Sequence, residues 1–187
     1  MSRVVELIRQ AGVLWQHEAE FAAFCEWMIE WKITSVLEIG TGFGGSAFVF
    51  GEILNHARVV SVDFDILVPA EKKRSQPNPN FVQIHGNSRC PVVEALVALH
   101  APFDLVFFDT EHPYEECEEN FHRYAKFATR FIAQHDINAD EQHWPDMGIP
   151  CHWRDVTQGK PVTAFIDPDI DLRFPRWGGI GVVSACA

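Results

Sequence analysis

A chain of 187 residues holds enough material for one domain with a complete core and too little for two of substance. With 47% hydrophobic and 22% charged residues it matches an ordinary globular protein, which excludes disordered and fibrous classes. The formal net charge of −11 argues against nucleic-acid phosphate or an anionic membrane as main partner, because both need clustered Lys and Arg, and the group Lys72, Lys73, Arg74 is too short to supply them.

Ser2 is placed to cap a first helix carrying Val4, Val5, Leu7 and Ile8, which ends near Gly12. A second helix is predicted from about Glu18 to Trp31, with Phe21, Cys25, Met28 and Ile29 on one face at spacings of three and four. Residues 1–33 therefore form packing helices over the sheet or a cofactor. Trp15 and Gln16 lie between them, either within reach of a pocket or as ordinary loop residues.

Residues 34–46 organise the rest. A short apolar run (Val36, Leu37, Ile39) meets four glycines, Gly40, Gly42, Gly44 and Gly45, after which Ser46 opens a helical pattern over 44–56. Glycines in a strand-to-helix turn supply positive φ and let a ligand approach where no Cβ stands. The first amides of the helix point into the same space. Gly40, Gly42 and Gly45 fit a dinucleotide G-x-G-x-x-G, but Glu38 stands two residues before the first glycine. A carboxylate there repels pyrophosphate and can accept from an ammonium group, which favours S-adenosylmethionine.

At these residues the chain resembles the class I S-adenosylmethionine-dependent methyltransferases, whose first motif is E/D-x-G-x-G. Leu37-Glu38-Ile39-Gly40-Thr41 followed by Gly44-Gly45-Ser46 looks like the subgroup of cephalosporin hydroxylase-like and macrolide sugar O-methyltransferase proteins. The resemblance implies that Glu38, Gly40, Thr41, Gly42, Gly44 and Ser46 hold the cofactor.

Arg58–Asp63 reads as a buried strand ending in an acid, and Asp63, beside the end of the first strand, can take both ribose hydroxyls; Asp65 is the alternate. Residues 69–80 are polar and proline-rich, hence an exposed loop or short helix. Phe81–His85 is a third strand. Gly86-Asn87-Ser88 follows it where the resembled family has an adenine-reading turn, so Asn87 pairs with the adenine edge and Ser88 supports it or simply caps the helix Pro91–His100.

Phe103–Phe108 is almost continuously apolar, as a central strand should be. It ends at Asp109, ahead of His112, Tyr114 and a helix over 115–128 whose acidic start (Glu115, Glu116, Glu118, Glu119) suits the helix dipole. Arg130–Asp136 is the fifth strand. Residues 137–160 are expected as a lid or substrate loop with at most a short helix over 151–157. Val162–Ile166 and Ile180–Ser184 complete the expected fold: one α/β, Rossmann-like, doubly wound seven-stranded sheet, mostly parallel, with an antiparallel C-terminal edge pair and helices on both faces.

In that topology Glu38, Asp109, His135 and Asp136 reach one carboxyl edge. Carboxylates that close repel each other unless a cation or proton lies between them. Mg²⁺ is the natural cation for oxygen ligands, and His135 as a further ligand shifts preference toward Mn²⁺ or Fe²⁺. The resemblance implies the same through its D-x-x-H-x-Y pattern: Asp109 and Asp136 as metal ligands, His112 as general base, Tyr114 nearby. Its metal-binding members carry two adjacent acids after strand five, where this chain has His135-Asp136.

The expected chemistry is methyl transfer to a hydroxyl of a small molecule such as a sugar, phenol or hydroxy-acid. Trp144, Trp153, Phe174 and Trp177 are either an apolar substrate wall or loop packing. A non-catalytic S-adenosylmethionine-binding module stays open as an alternative; a nicotinamide-dependent oxidoreductase is disfavoured by Glu38 and the lack of a Tyr-Lys pair. Five scattered cysteines without a C-x-x-C pair are expected as free thiols. No stretch nears the ~20 apolar residues of a membrane span, and charges at Arg3 and Glu6 replace a signal-peptide core, so a cytoplasmic location is expected. Homo-oligomerisation, which would add substrate contacts to a small subunit, is left open.

Overall fold

Short apolar runs rich in Val, Ile and Phe become strands covered on both faces. They are β1 (Ser35–Ile39), β2 (Arg58–Asp63), β3 (Phe81–His85), β4 (Phe103–Phe108), β5 (Ala128–His135), β6 (Val162–Phe165) and β7 (Ile180–Ser184). The helices are α1 (Arg3–Ala11), α2 (Glu18–Glu30), α3 (Gly45–Ile53), α4 (Pro91–Ala98), α5 (Tyr114–Tyr124) and α6 (Ile149–Val156). The computed structural model describes residues 2–12, 14–55, 57–64, 80–110, 113–140, 144–167 and 178–185.

The strands form one seven-stranded sheet in the order β3-β2-β1-β4-β5-β7-β6. Strands β1 to β5 pair in parallel, and β7 enters antiparallel between β5 and β6. The C-terminal pair is thus present, though β7 alone runs against the other six strands. The order reverses on either side of β1, the switch point at which open α/β sheets bind ligands.

Alternation along each strand sends side chains to two cores. Val36, Val59, Leu105 and Phe107 pack under α1, α2 and α3. Leu37, Ile39, Val60, Val106 and Phe108 face the other side with Val93 and Val97 of α4, Tyr124 of α5 and Trp153 of α6. The first core is strongly aromatic: Phe24 lies within 6.5 Å, centroid to centroid, of Phe21, Trp27, Phe50, Phe107 and Phe165.

Several expectations shift by a residue or a role. Ser2 does cap α1, its side chain accepting from Val5 N–H at 3.4 Å. On α2 the buried stripe is Phe21, Phe24, Cys25 and Met28, while Ile29 is 44% exposed. Ser88 does not cap α4; Cys90 occupies the cap position, and Pro91 at the first turn needs no N–H partner. The acidic helix begins at Tyr114 and stops at Tyr124, where a short 3-10 turn (Ala125–Phe127) leads into a β5 that starts at Ala128. Trp153 is buried in the second core, so it belongs to packing and not to a substrate wall. Cys25, Cys90, Cys117 and Cys151 are free thiols. No helix among the described residues is long and apolar enough to cross a membrane. The loop expected over 69–79, Asp65, His112, Phe174 and Trp177 lie outside the described residues.

Truncating the hub of the aromatic core, Phe24→Ala, should lower stability by about 3–5 kcal/mol, read as a reduced urea midpoint with an unchanged slope. A loss below about 1 kcal/mol would mean that the site refills by collapse.

Candidate active site

The strand ends line up because their amides reach across to the neighbouring strand. Gly40 N–H donates to Val62 O, Gly86 N–H to Asp63 O, and Asp109 N–H to Ile39 O, at 2.8–2.9 Å. Gly86, Asp63, Gly40 and Asp109 therefore follow one another along the carboxyl edge. Between β1 and β4 the approach is so close that a Cβ on Gly40, whose φ is +92°, would sit 1.9 Å from the Asp109 carbonyl oxygen. Only glycine fits there.

The turn is held from below. Thr41 and Gly42 N–H donate to Asp63 Oδ2 at 2.8 and 2.7 Å, and Gly44, at φ +74°, leads into α3. A cavity of about 790 Å³ opens above it. Gly40, Thr41, Gly42 and Ser46 of the turn line it, with Asp63 held directly against them and Asn87 and Ser88 beyond; Asp109, His135 and Asp136 line its foot on the β4 and β5 side. Gly44 shapes the turn without lining the cavity, whereas Gly45 does line it. Trp15 and Gln16 both reach the cavity, and Trp144 and Met147 come to it from the loop before α6.

Glu38 is not in the wall. It is 0% exposed, on the face of β1 that points to α3. In register with Ser61 of β2, it accepts from the Ser61 hydroxyl at 2.6 Å, while Oε1 has no hydrogen-bond partner. Burial pushes its carboxyl up to about 7, although the nearby hydroxyls of Ser46, Ser61 and Thr41 favour the anion. Glu38 thus lies directly beneath the glycine turn as a buried acid, one layer below the ligand space.

The floor gathers opposite charge in little volume. His135, 2% exposed, places Nδ1 3.0 Å from Asp109 Oδ1 and 3.4 Å from Asp136 Oδ2. Its Nε2 lies 3.4 Å from Glu20 Oε1. Burial opposes a charge on the ring, yet Asp109, and then Asp136 and Glu20, hold its pKa well above the ordinary value. Gln16 Nε2 donates to the other oxygen of Asp109. Asp136 takes a left-handed backbone at φ +61° and accepts from Gly178 N–H at 2.8 Å. A non-glycine residue is held there only where its surroundings over-determine it.

Asp109, His135 and Asp136 each offer one ligand atom, all within 4.8 Å of one another. Two carboxylates and an imidazole, converging on the cavity floor with Glu20 behind, fit a divalent cation. His112 lies outside the described residues, while Tyr114 donates to Asp155 Oδ2 at 2.9 Å. The residue that sequence reasoning missed is Glu20. Its signal was a carboxylate four positions before Phe24, at the margin of an otherwise apolar stripe.

A family model described as a methyltransferase domain matches residues 37–136. No curated protein matches the sequence. Among solved structures, the O-methyltransferase from Bacillus cereus in complex with S-adenosylhomocysteine is 16% identical, with a TM-score of 0.65 over 98% of this chain and 91% of that one. TomG from Streptomyces achromogenes, involved in tomaymycin synthesis and solved with S-adenosylmethionine, is 18% identical, with a TM-score of 0.68 over 98% and 90%. MycE of the mycinamycin biosynthetic pathway, solved with Mg, S-adenosylhomocysteine and mycinamycin VI, is 14% identical, with a TM-score of 0.66 over 97% of this chain and 54% of that one. At these identities the likeness is one of fold.

Folding raises Glu38 from 4.5 to about 7, so the native state takes up a proton between those values. The stability tied to the protonated form is fully present below pH 4.5 and is lost as pH rises through about 7. Relative to Glu38→Gln, ligand-free wild type should therefore lose on the order of 3 kcal/mol across that window, measured by urea unfolding at about pH 5 and about pH 8. A pH-independent difference between the two proteins would mean that Glu38 is ionised throughout.

Proposed function

The chain belongs to the methyltransferase domain family, and from that membership we propose that it is an O-methyltransferase acting on a hydroxyl of a small molecule such as a sugar, phenol or hydroxy-acid, with a divalent cation assisting. The observation that carries the reading is the convergence of Asp109, His135 and Asp136 at the foot of the cavity whose wall is the glycine turn.

S-adenosylmethionine would supply the methyl group. In this reading the glycine turn gives its methionine and ribose a backbone surface without side chains in the way, Asp63 takes the ribose hydroxyls, and Asn87 with Ser88 meets the adenine edge. Asp63 has one oxygen anchored by Thr41 and Gly42 N–H, which fixes the carboxylate's orientation before a ligand arrives. Glu38 braces the turn from beneath.

Asp109, His135 and Asp136 would hold the cation, Mg²⁺ or Mn²⁺, which lowers the pKa of a bound hydroxyl. Gln16 leaves Asp109 with one oxygen aimed at the floor by occupying the other. His112, three residues after Asp109, is the proposed general base that takes the acceptor hydroxyl's proton, its ordinary pKa near 6.5 suiting that task. Trp15, Trp144 and Met147 border the cavity and would shield an acceptor from water. MycE, solved with Mg, S-adenosylhomocysteine and mycinamycin VI, offers a precedent for pairing this fold with a cation and a small molecule. A cytoplasmic location and a possible homo-oligomer belong to the same proposal.

Calorimetric titration with S-adenosylhomocysteine, repeated with Mg²⁺ and with NAD, tests the cofactor reading; binding that NAD does not compete is expected, and no binding would overturn it. His112→Ala should keep that affinity while turnover of hydroxylated sugars or phenols falls roughly 10²-fold or more. Turnover that persists in excess chelator would remove the cation from the reaction.

A further inference from the structure

The floor of the cavity has a support that comes from outside the family-matched segment. Glu20, on the first turn of α2, is 2% exposed and faces His135 from the side opposite Asp109 and Asp136. It does not hang freely. Its Oε2 accepts from Gly179 N–H at 2.9 Å, and its Oε1 is the oxygen 3.4 Å from His135 Nε2. A Cβ on Gly178 would stand 2.9 Å from that same Oε1, so glycine there leaves the carboxylate its place.

We propose that Glu20 is a positioning residue that fixes the proton of His135 on Nε2 and thereby turns the Nδ1 lone pair toward Asp109 and Asp136, making His135 a metal ligand. The inference rests on the metal reading of the site. An ionised carboxylate only accepts hydrogen bonds, so an unprotonated Nε2 opposite it would set lone pair against lone pair. With a cation held on Nδ1, a neutral ring carries its one proton on Nε2, where Glu20 accepts it. Its Nδ1 then meets two further carboxylates, an arrangement satisfied when a cation lies among the three. A carboxylate that accepts from the far nitrogen of a ligating imidazole orients the ring and raises its basicity.

Glu20→Gln reverses this logic with little change of shape. The side chain keeps its length; the oxygen facing His135 also accepts from His17 N–H at 3.4 Å, and that longer bond is given up in favour of the one to Gly179 N–H at 2.9 Å. Its carbonyl would take the Gly179 N–H, so its amide NH₂ would face His135 Nε2 as a donor. The ring must then accept at Nε2 and carry its proton on Nδ1, where it blocks a metal.

The test is a calorimetric titration of Mn²⁺ and Mg²⁺ into wild type, Glu20→Gln and Glu20→Asp, with S-adenosylhomocysteine binding and thermal unfolding as controls. Glu20→Gln should lose about 10–100-fold in metal affinity with S-adenosylhomocysteine affinity unchanged; metal affinity equal to wild type would overturn the proposal. A ¹⁵N spectrum of wild type with saturating Mg²⁺, at a pH high enough to leave His135 neutral, separates the two readings. A proton on Nε2 with Mg²⁺ bound upholds the role of Glu20, and a proton on Nδ1 with Mg²⁺ bound overturns it. Wild type that binds neither Mg²⁺ nor Mn²⁺ overturns the metal reading, and the proposal with it.

Discussion

Strands β1 and β4 meet so closely at their carboxyl ends that the backbone of Gly40 lies against the carbonyl of Asp109, and most of the site follows from that contact. A side chain at position 40 would hold the strands apart, shift the register that pairs Ile39 with Phe108, and pull Asp109 away from the glycine turn. With glycine there, the acid after β4 and the turn after β1 share one floor. Parallel pairing then carries the alignment outward in both directions, to Asp63 and Gly86 on one side and to His135 on the other.

Around that contact the charges are arranged in two depths. Glu38 is sealed beneath the turn among hydroxyls, where burial raises its affinity for a proton. Asp109, Asp136 and Glu20 instead surround His135 at the cavity floor, where a positive group is favoured. The same sheet edge thus keeps one acid beneath the turn and gathers the others around an imidazole. What separates them is which face of the strand they leave from and whether a basic group faces them.

Much of this was legible in the sequence, because parallel strands buried on both faces and glycine-rich turns obey local rules. The limits of β2, β3, β4 and β7, the glycine turn, and the gathering of Asp109 with His135 and Asp136 follow from apolar runs and the residues that end them. What was not legible depends on packing between distant segments. The burial of Phe24 in place of Ile29 is set by rings contributed from α3 and β4. Trp153 lies in the short helix expected within a long connection, where a substrate wall and internal packing read alike until α6 carries it into the core. Ser88 looks like a helix cap, but the turn continues two residues further and leaves it on the cavity wall. The role of Glu20 depends on His135, 115 residues away, and on Gly179, 159 residues away, and no local pattern encodes either.

The antiparallel entry of β7 has a consequence for how the protein is made. A ribosome delivers β5 well before β7, yet β7 is the strand that pairs with β5 from Phe131 to His135. Until it arrives, an edge containing Phe131, Ile132 and Ala133 has no neighbour, the kind of exposed apolar strand that recruits other chains. The nascent protein therefore carries its main aggregation hazard beside its future floor, and both are closed by the same late event. Arrival of β7 covers the edge and brings Gly178 and Gly179 to Asp136 and Glu20, so quality of folding and readiness of the site are acquired together.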